Sequence, residues 1–309
     1  MLLKFYLGSI FLFFVILVIS LNFIIFRPVF RLAFVSKKST VYIIAFFNII
    51  SDLLQLFLLI YLTSSMIVND YLFSGGQQSV LDVIIGGLFI NSWYMECFVQ
   101  IVMALNRFTV ITLNKNQIFT FKTTLILFFF IILTTIFSAI CNQIIFPCCM
   151  MVLDHNYMSM LFLPNKNSYS YSNLMNFTYN FSACSISIFC YSAIFVTIRR
   201  APKNQNVAKN KQDLRYLLQF VIISIFYTLA FILFEILPVV VPEGQIQWYA
   251  LVPSMVILNC SSNSIIYLCL NRDVRNELNV KCFLNGNVQV IHVSSQVKQG
   301  SQANVLIIN

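Results

Sequence analysis

Three carboxylates, Asp52, Glu96 and Glu235, stand inside long apolar runs of this chain. A charged group near the middle of a bilayer costs at least about 2.5–3.5 kcal/mol, so each acid needs a partner or a task. Asp52 and Glu96 are expected at similar depth. Facing a common interior, they can share a proton, or hold a cation with Asn22 and Asn263 as neutral ligands. The plainer alternative is that both are simply protonated and hydrogen-bonded, which desolvation alone would produce. Glu235 falls in the outer part of its run, where it can take a cationic or hydroxylated ligand opposite Asn91, Trp93 and Tyr94, or reach toward outer water. Eleven residues, almost three helical turns, separate Glu96 from Arg107, which places the two on one helix face. Enzyme chemistry has little to work with. His155 and His292 are the two histidines and belong to no ligand-spaced cluster, so no metal site or cofactor is expected.

Elements that can position such groups follow from composition. Apolar residues make up 59% of the 309 and charged residues 9%, with a mean hydropathy of +0.84. A soluble domain carries about a quarter charged residues, so these apolar side chains must face lipid. Crossing about 30 Å of hydrocarbon takes roughly 20 helical residues. Seven runs are long enough: 7–26, 39–62, 83–105, 121–147, 173–198, 217–241 and 248–270. Lipid offers no partner to backbone N–H and C=O groups, which leaves helices or a closed barrel. Continuous apolar stretches such as 125–134 contradict the alternation that a barrel needs. The third run carries Gly86, Gly87, Asn91, Glu96 and Gln100, and is expected to be the most enclosed helix. The first run is too long for a signal-peptide core and lacks a small-residue cleavage site. The fold class is therefore an all-α membrane protein, a seven-transmembrane helix bundle. One domain covers 1–282, including a short surface helix at 271–282, and a flexible polar tail covers 283–309.

The net charge of +9 is spread as clusters between apolar runs, which is how a bilayer-embedded protein carries charge; nucleic acid is not an expected partner. With the amino terminus outside and the carboxyl terminus in the cytoplasm, all of the 19 basic residues except Lys4 and Lys166 fall on the cytoplasmic side.

Short motifs now acquire meaning from their order. Ala104-Leu105-Asn106-Arg107-Phe108 ends the third run, and Asn263-Ser264-Ile265-Ile266-Tyr267 lies in the seventh. Asn22 and Asp52 lie deep in the first and second, and Leu270-Asn271-Arg272-Asp273-Val274-Arg275 follows the seventh. In this arrangement the chain resembles the rhodopsin-like G-protein-coupled receptors, and in detail the nematode serpentine chemoreceptors. The resemblance implies a plasma-membrane receptor, a sensory cilium being one such location, with a small-molecule ligand and a heterotrimeric G protein as partners. It implies coupling and activation through Asn106, Arg107, Asn263 and Tyr267, and a ligand in the outer half.

Departures from the family pattern bear on mechanism. Ser264 replaces the usual Pro, and Asp82 stands where a third-helix Cys is expected. The usual loop–helix disulfide is therefore expected to be missing, and Cys148 and Cys149, being adjacent, are expected as free thiols. Pro238 is too near the outer end of the sixth run to act as a mid-helix kink, and its adjacent Trp is absent. Phe89 occupies the turn where amine receptors place an acid, and no lysine in the seventh run can hold a retinal. Asn176 begins a sequon and is a candidate glycosylation site, although close to the bilayer; Cys282 is a candidate for palmitoylation. A competing reading is an ion-conducting or transport protein with Asp52, Glu96 and Glu235 lining its path. The absence of internal repeats and of broken helix pairs counts against it.

Overall fold

A computed structural model describes residues 2–72, 79–115, 118–146, 148–163, 170–200, 207–242 and 245–278. Seven long helices run through it. They are α1 (Leu2–Phe30), α2 (Thr40–Val68), α3 (Val80–Ile111), α4 (Phe121–Ile140), α5 (Tyr171–Arg200), α6 (Val207–Val240) and α7 (Leu251–Leu270). A short α8 (Arg272–Glu277) follows. All seven long helices contain stretches apolar enough to cross a bilayer.

Side-chain caps fix where three of the helices begin, and at α3 the cap at Ser79 starts the helix ahead of its apolar run. Ser39 accepts from the backbone of Val41, Ser79 from Asp82 and Thr120 from Thr123. The Arg107 end of α3 thus lies within regular helix, one turn before Ile111. Pro28 lies inside α1, and a π-helical turn, Arg31–Val35, completes the helix beyond it. Another such turn, Cys141–Ile145, extends α4. The surface helix is shorter than expected within the described residues, and Cys282 and the 283–309 tail lie outside them.

Burial follows the solvent that each helix meets. The core stretch of α3 is 72% buried, the most of the seven, against 28% for α1 and 33% for α4. α1 buries one stripe, Phe11, Val15, Val18, Asn22, Ile25 and Val29, at three- and four-residue spacing. Its other face shows Phe13, Phe14 and Leu17, and α4 likewise shows Phe129, Phe130 and Phe137. α3 touches α2, α4, α5 and α6 and so forms the axis of the bundle.

A feature outside the helices caps one end. β1 (Met151–Asp154) and β2 (Ser159–Phe162) form an antiparallel hairpin pairing Met151 with Phe162 and Asp154 with Ser159. Gln143 holds it down: its Nε2 donates to the Met151 carbonyl at 2.9 Å, and the Met151 N–H donates to its Oε1 at 2.8 Å. The hairpin lies so close to α3 that a Cβ on Gly86 would come within 2.0 Å of the Met151 oxygen. Beside it the structure joins Cys148 and Cys149 in a disulfide, correcting the expectation of free thiols. Cys149 takes a left-handed backbone conformation, φ 72°, and the two Cα atoms stand 3.7 Å apart, which lets adjacent residues meet. His155, in the hairpin turn, is buried edge-on against Tyr71 and 3.9 Å from Asp154.

Gly86→Ala is expected to lower the thermal midpoint by an overpacking cost of about 1–3 kcal/mol. Gly87→Ala, whose Cβ would meet only the Gln143 side chain at 3.4 Å, is expected to be tolerated. Equal midpoints for the two variants would refute the close approach.

Burial pushes the His155 imidazole below the usual histidine range, helped by Lys4 and opposed by Asp154, Asp70 and Asp82. The folded hairpin therefore prefers the neutral ring. Its stability is full above about pH 6.5 and falls as pH drops through the lowered folded value. Amide exchange across β1 and β2 is expected to accelerate on acidification, and His155→Gln to flatten that slope.

Candidate functional site

Beneath the hairpin, α3, α5, α6 and α7 leave two adjacent spaces. An inner cleft of about 10 Å³ is lined by Phe89, Trp93, Asn180 and Phe231, and closed above by Met151 and Met160. An outer cavity of about 560 Å³ is lined by Cys149, Tyr157, Phe162, Phe234, Glu235 and Tyr249. Met160, Phe234 and Val252 border both, so the two spaces are neighbours. Aromatic and aliphatic walls with a single carboxylate suit a small, largely apolar molecule carrying a donor group.

Glu235 is also the head of a hydrogen-bonded chain. Its Oε1 accepts from Asn176 Nδ2 at 3.2 Å, and Asn180 Nδ2 donates to Asn176 Oδ1 at 3.0 Å. Asn180 Oδ1 in turn accepts from Trp93 Nε1 at 3.0 Å and from the Tyr227 hydroxyl at 2.6 Å. One α5 amide thus ties α3 to α6 immediately below the cleft. A glycan has no room at Asn176, which is 2% exposed with its amide nitrogen occupied. Of the ligand candidates, Trp93 and Glu235 line these spaces. Tyr94 turns toward α4, where its hydroxyl accepts from Asn142 at 2.6 Å, and Asn91 lines neither space.

At mid-depth the polar residues are fully buried. Asp52 Oδ2 accepts from Asn263 Nδ2 at 2.8 Å. Glu96 accepts from Gln55 Nε2 at 2.8 Å and from Asn259 Nδ2. Asn22 Nδ2 donates to the Cys260 carbonyl, joining α1 to α7. No hydrogen bond joins the two carboxylates among the described residues; each is held by its own α7 asparagine. Asp52 Oδ1 and the amide oxygens of Asn22, Asn259 and Asn263 are buried acceptors without a hydrogen-bond partner among the described residues. Acceptors of that kind suit a cation or a donated proton.

The opposite end holds Asn106 and Tyr267, both buried, and the partly buried Arg107. Loop and surface helix are tied there: Tyr42 and Lys38 both donate to Asp273 at 2.8 Å, and Arg31 pairs with Glu277 at 3.2 Å. Burial works to raise the Asp273 carboxyl, yet the hydrogen bonds from Lys38 and Tyr42 hold it below the usual carboxylate range.

Four residues of this network escaped the sequence reading: Gln55, Asn180, Tyr227 and Asn259. Gln55 is three residues after Asp52, and Asn259 four before Asn263, so helical spacing alone places both beside a recognised residue. Asn180 is four residues after Asn176, one helical turn along α5. Nothing local marks Tyr227.

Residues 2–290 match the family model of the serpentine-type seven-transmembrane G-protein-coupled chemoreceptors named Srt. No curated protein matches the chain. The crystal structure of squid rhodopsin aligns with a TM-score of 0.71 over 90% of this chain and 84% of that one, at 16% identity, which shows a common fold. The matching family is one of receptors rather than enzymes, and seven spanning helices make the chain a multi-pass protein of the plasma membrane. The chain belongs to the Srt family of serpentine seven-transmembrane G-protein-coupled chemoreceptors.

Proposed function

We propose that this protein binds a small organic ligand in the outer cavity and activates a heterotrimeric G protein at its Arg107 end. The observation that carries the reading is the Asn180 junction. A ligand that takes up Glu235 competes with Asn176, and Asn176 is bonded to the amide that holds Trp93 of α3 and Tyr227 of α6 together. Loss of that tie loosens α6, which keeps its direct links to α3 from Tyr227 to Cys97 and from Ser224 to Gln100. Its movement at the far end would let a G-protein helix meet Asn106, Arg107 and Tyr267, and ligand and G protein would then favour the same state reciprocally. This route serves in place of the mid-helix Pro and Trp that the chain lacks.

Orientation follows the basic residues, with the amino terminus and the hairpin outside and the Arg107 end in the cytoplasm. The domain limits stand with it: a receptor unit over 1–282, a cytoplasmic tail over 283–309 and a lipid anchor at Cys282. The buried acceptors around Asp52, Glu96 and Asn22 serve as a cation or proton site that stabilises one of the two states.

Basal nucleotide exchange on Gα, measured with the full chain in nanodiscs, tests this reading. Arg107→Ala is expected to abolish catalysed exchange. Asn180→Leu is expected to raise it roughly thirtyfold, since two hydrogen bonds of about 1 kcal/mol each no longer hold the closed state. Glu96→Gln is expected to remove its sodium and pH dependence. Exchange at the protein-free rate in every variant, together with ion flux through the same discs, would instead favour the transport reading.

A further inference from the structure

At the Arg107 end, a separate cavity of about 420 Å³ opens between the α1–α2 turn, α3 and the segment leading into α4. Its polar lining is Lys37, Lys38, Ser39, Thr40, Asn106 and Arg107, and its apolar wall includes Phe119 and Phe121. Three cations and two hydroxyls face one space, and among the described residues no acid lines it. Lys37 has a left-handed backbone, φ 45°, and its ammonium stands 5.0 Å above the Phe121 ring. Lys38 is bonded to Asp273, which lies outside the lining. The space also adjoins the first turn of α2, a 29-residue helix whose amino-terminal N–H groups add to the positive potential.

We infer that this cavity binds a phosphate-bearing anion of two or more charges, as the headgroup of an anionic phospholipid or as the same chemistry in soluble form. Charge alone would accept any anion. Lysine and arginine donors from two different segments, with hydroxyls between them, suit several phosphate oxygens at once. The aromatic wall gives the less polar part of the molecule a surface, and the position at the helix ends is the headgroup level of a bilayer. The inference does not depend on ligand binding at the other end or on G-protein activation. Because Asn106 and Arg107 line the cavity, an occupant would also bear on whatever those residues do.

The full chain in nanodiscs supplies the test. Discs of phosphatidylcholine alone are compared with discs containing phosphatidylinositol bisphosphate or phosphatidylserine, and labelled inositol trisphosphate is titrated onto the phosphatidylcholine discs. The bisphosphate lipid is expected to raise the thermal midpoint, and phosphatidylserine to raise it little. Lys37→Gln changes an exposed side chain outside any ion pair, and is expected to weaken binding about tenfold; Lys37→Arg should retain it. Binding of the soluble trisphosphate would assign recognition to the phosphates themselves, whereas a response to the lipid alone would assign it to the membrane-anchored headgroup. Absence of both responses, an equal response to phosphatidylserine, or native-strength binding by Lys37→Gln would overturn the assignment.

Discussion

Hydrocarbon accepts and donates no hydrogen bonds, so a polar side chain within a spanning helix has to find its partner on another helix. In this chain that requirement sets the rotation of each helix about its axis. Asp52 turns α2 toward Asn263, Glu96 turns α3 toward Gln55 and Asn259, and Asn22 turns α1 toward the α7 backbone. Apolar side chains supply the packing, but lipid would suit most of them equally well, as the exposed phenylalanines of α1 and α4 show. Polar pairing therefore selects which faces become interior.

The same pairing joins one part of the bundle at mid-depth and another at a single junction nearer the hairpin. α1, α2, α3 and α7 are joined at mid-depth by buried amides and carboxylates. α6 is joined at the Asn180 junction through the Tyr227 hydroxyl, with further links from Ser224 to Gln100 and from Glu235 to Asn176. Above the junction, two methionines of the hairpin fill the cleft, and methionine is the side chain that repacks most readily when something else must enter. The hairpin in turn depends on Gly86 and Gln143, so the covering of the cleft and the seating of the hairpin are linked.

Much of this was legible in the sequence, and its gaps have physical causes. Seven spans and the enclosure of α3 follow from composition, because lipid exposure leaves its mark on every residue of a run. The start of α3 was read short because its cap, Ser79, lies outside the apolar stretch, and α2 and α3 both continue past their apolar stretches, to Val68 and Ile111. The hairpin was missed because all four residues of β1 are buried, which removes the alternation that marks a strand. Its position depends on Gly86 and Gln143, distant in sequence. Asp52, Glu96, Asn22 and Asn263 stood out as polar residues in apolar surroundings. Tyr94 and Asn91 were assigned to the cavity by depth alone, and depth does not specify the direction in which a residue faces.

A double-mutant cycle on Glu96 and Asn259, read as unfolding free energy of the full chain in a bilayer mimetic, addresses the pairing most directly. The account requires that Glu96→Ala and Asn259→Ala be non-additive, with a coupling of about 0.6–1.7 kcal/mol, the span measured for interhelical hydrogen bonds in a membrane. Strictly additive losses would mean that the two side chains do not support one another, and that shape alone sets the helix faces.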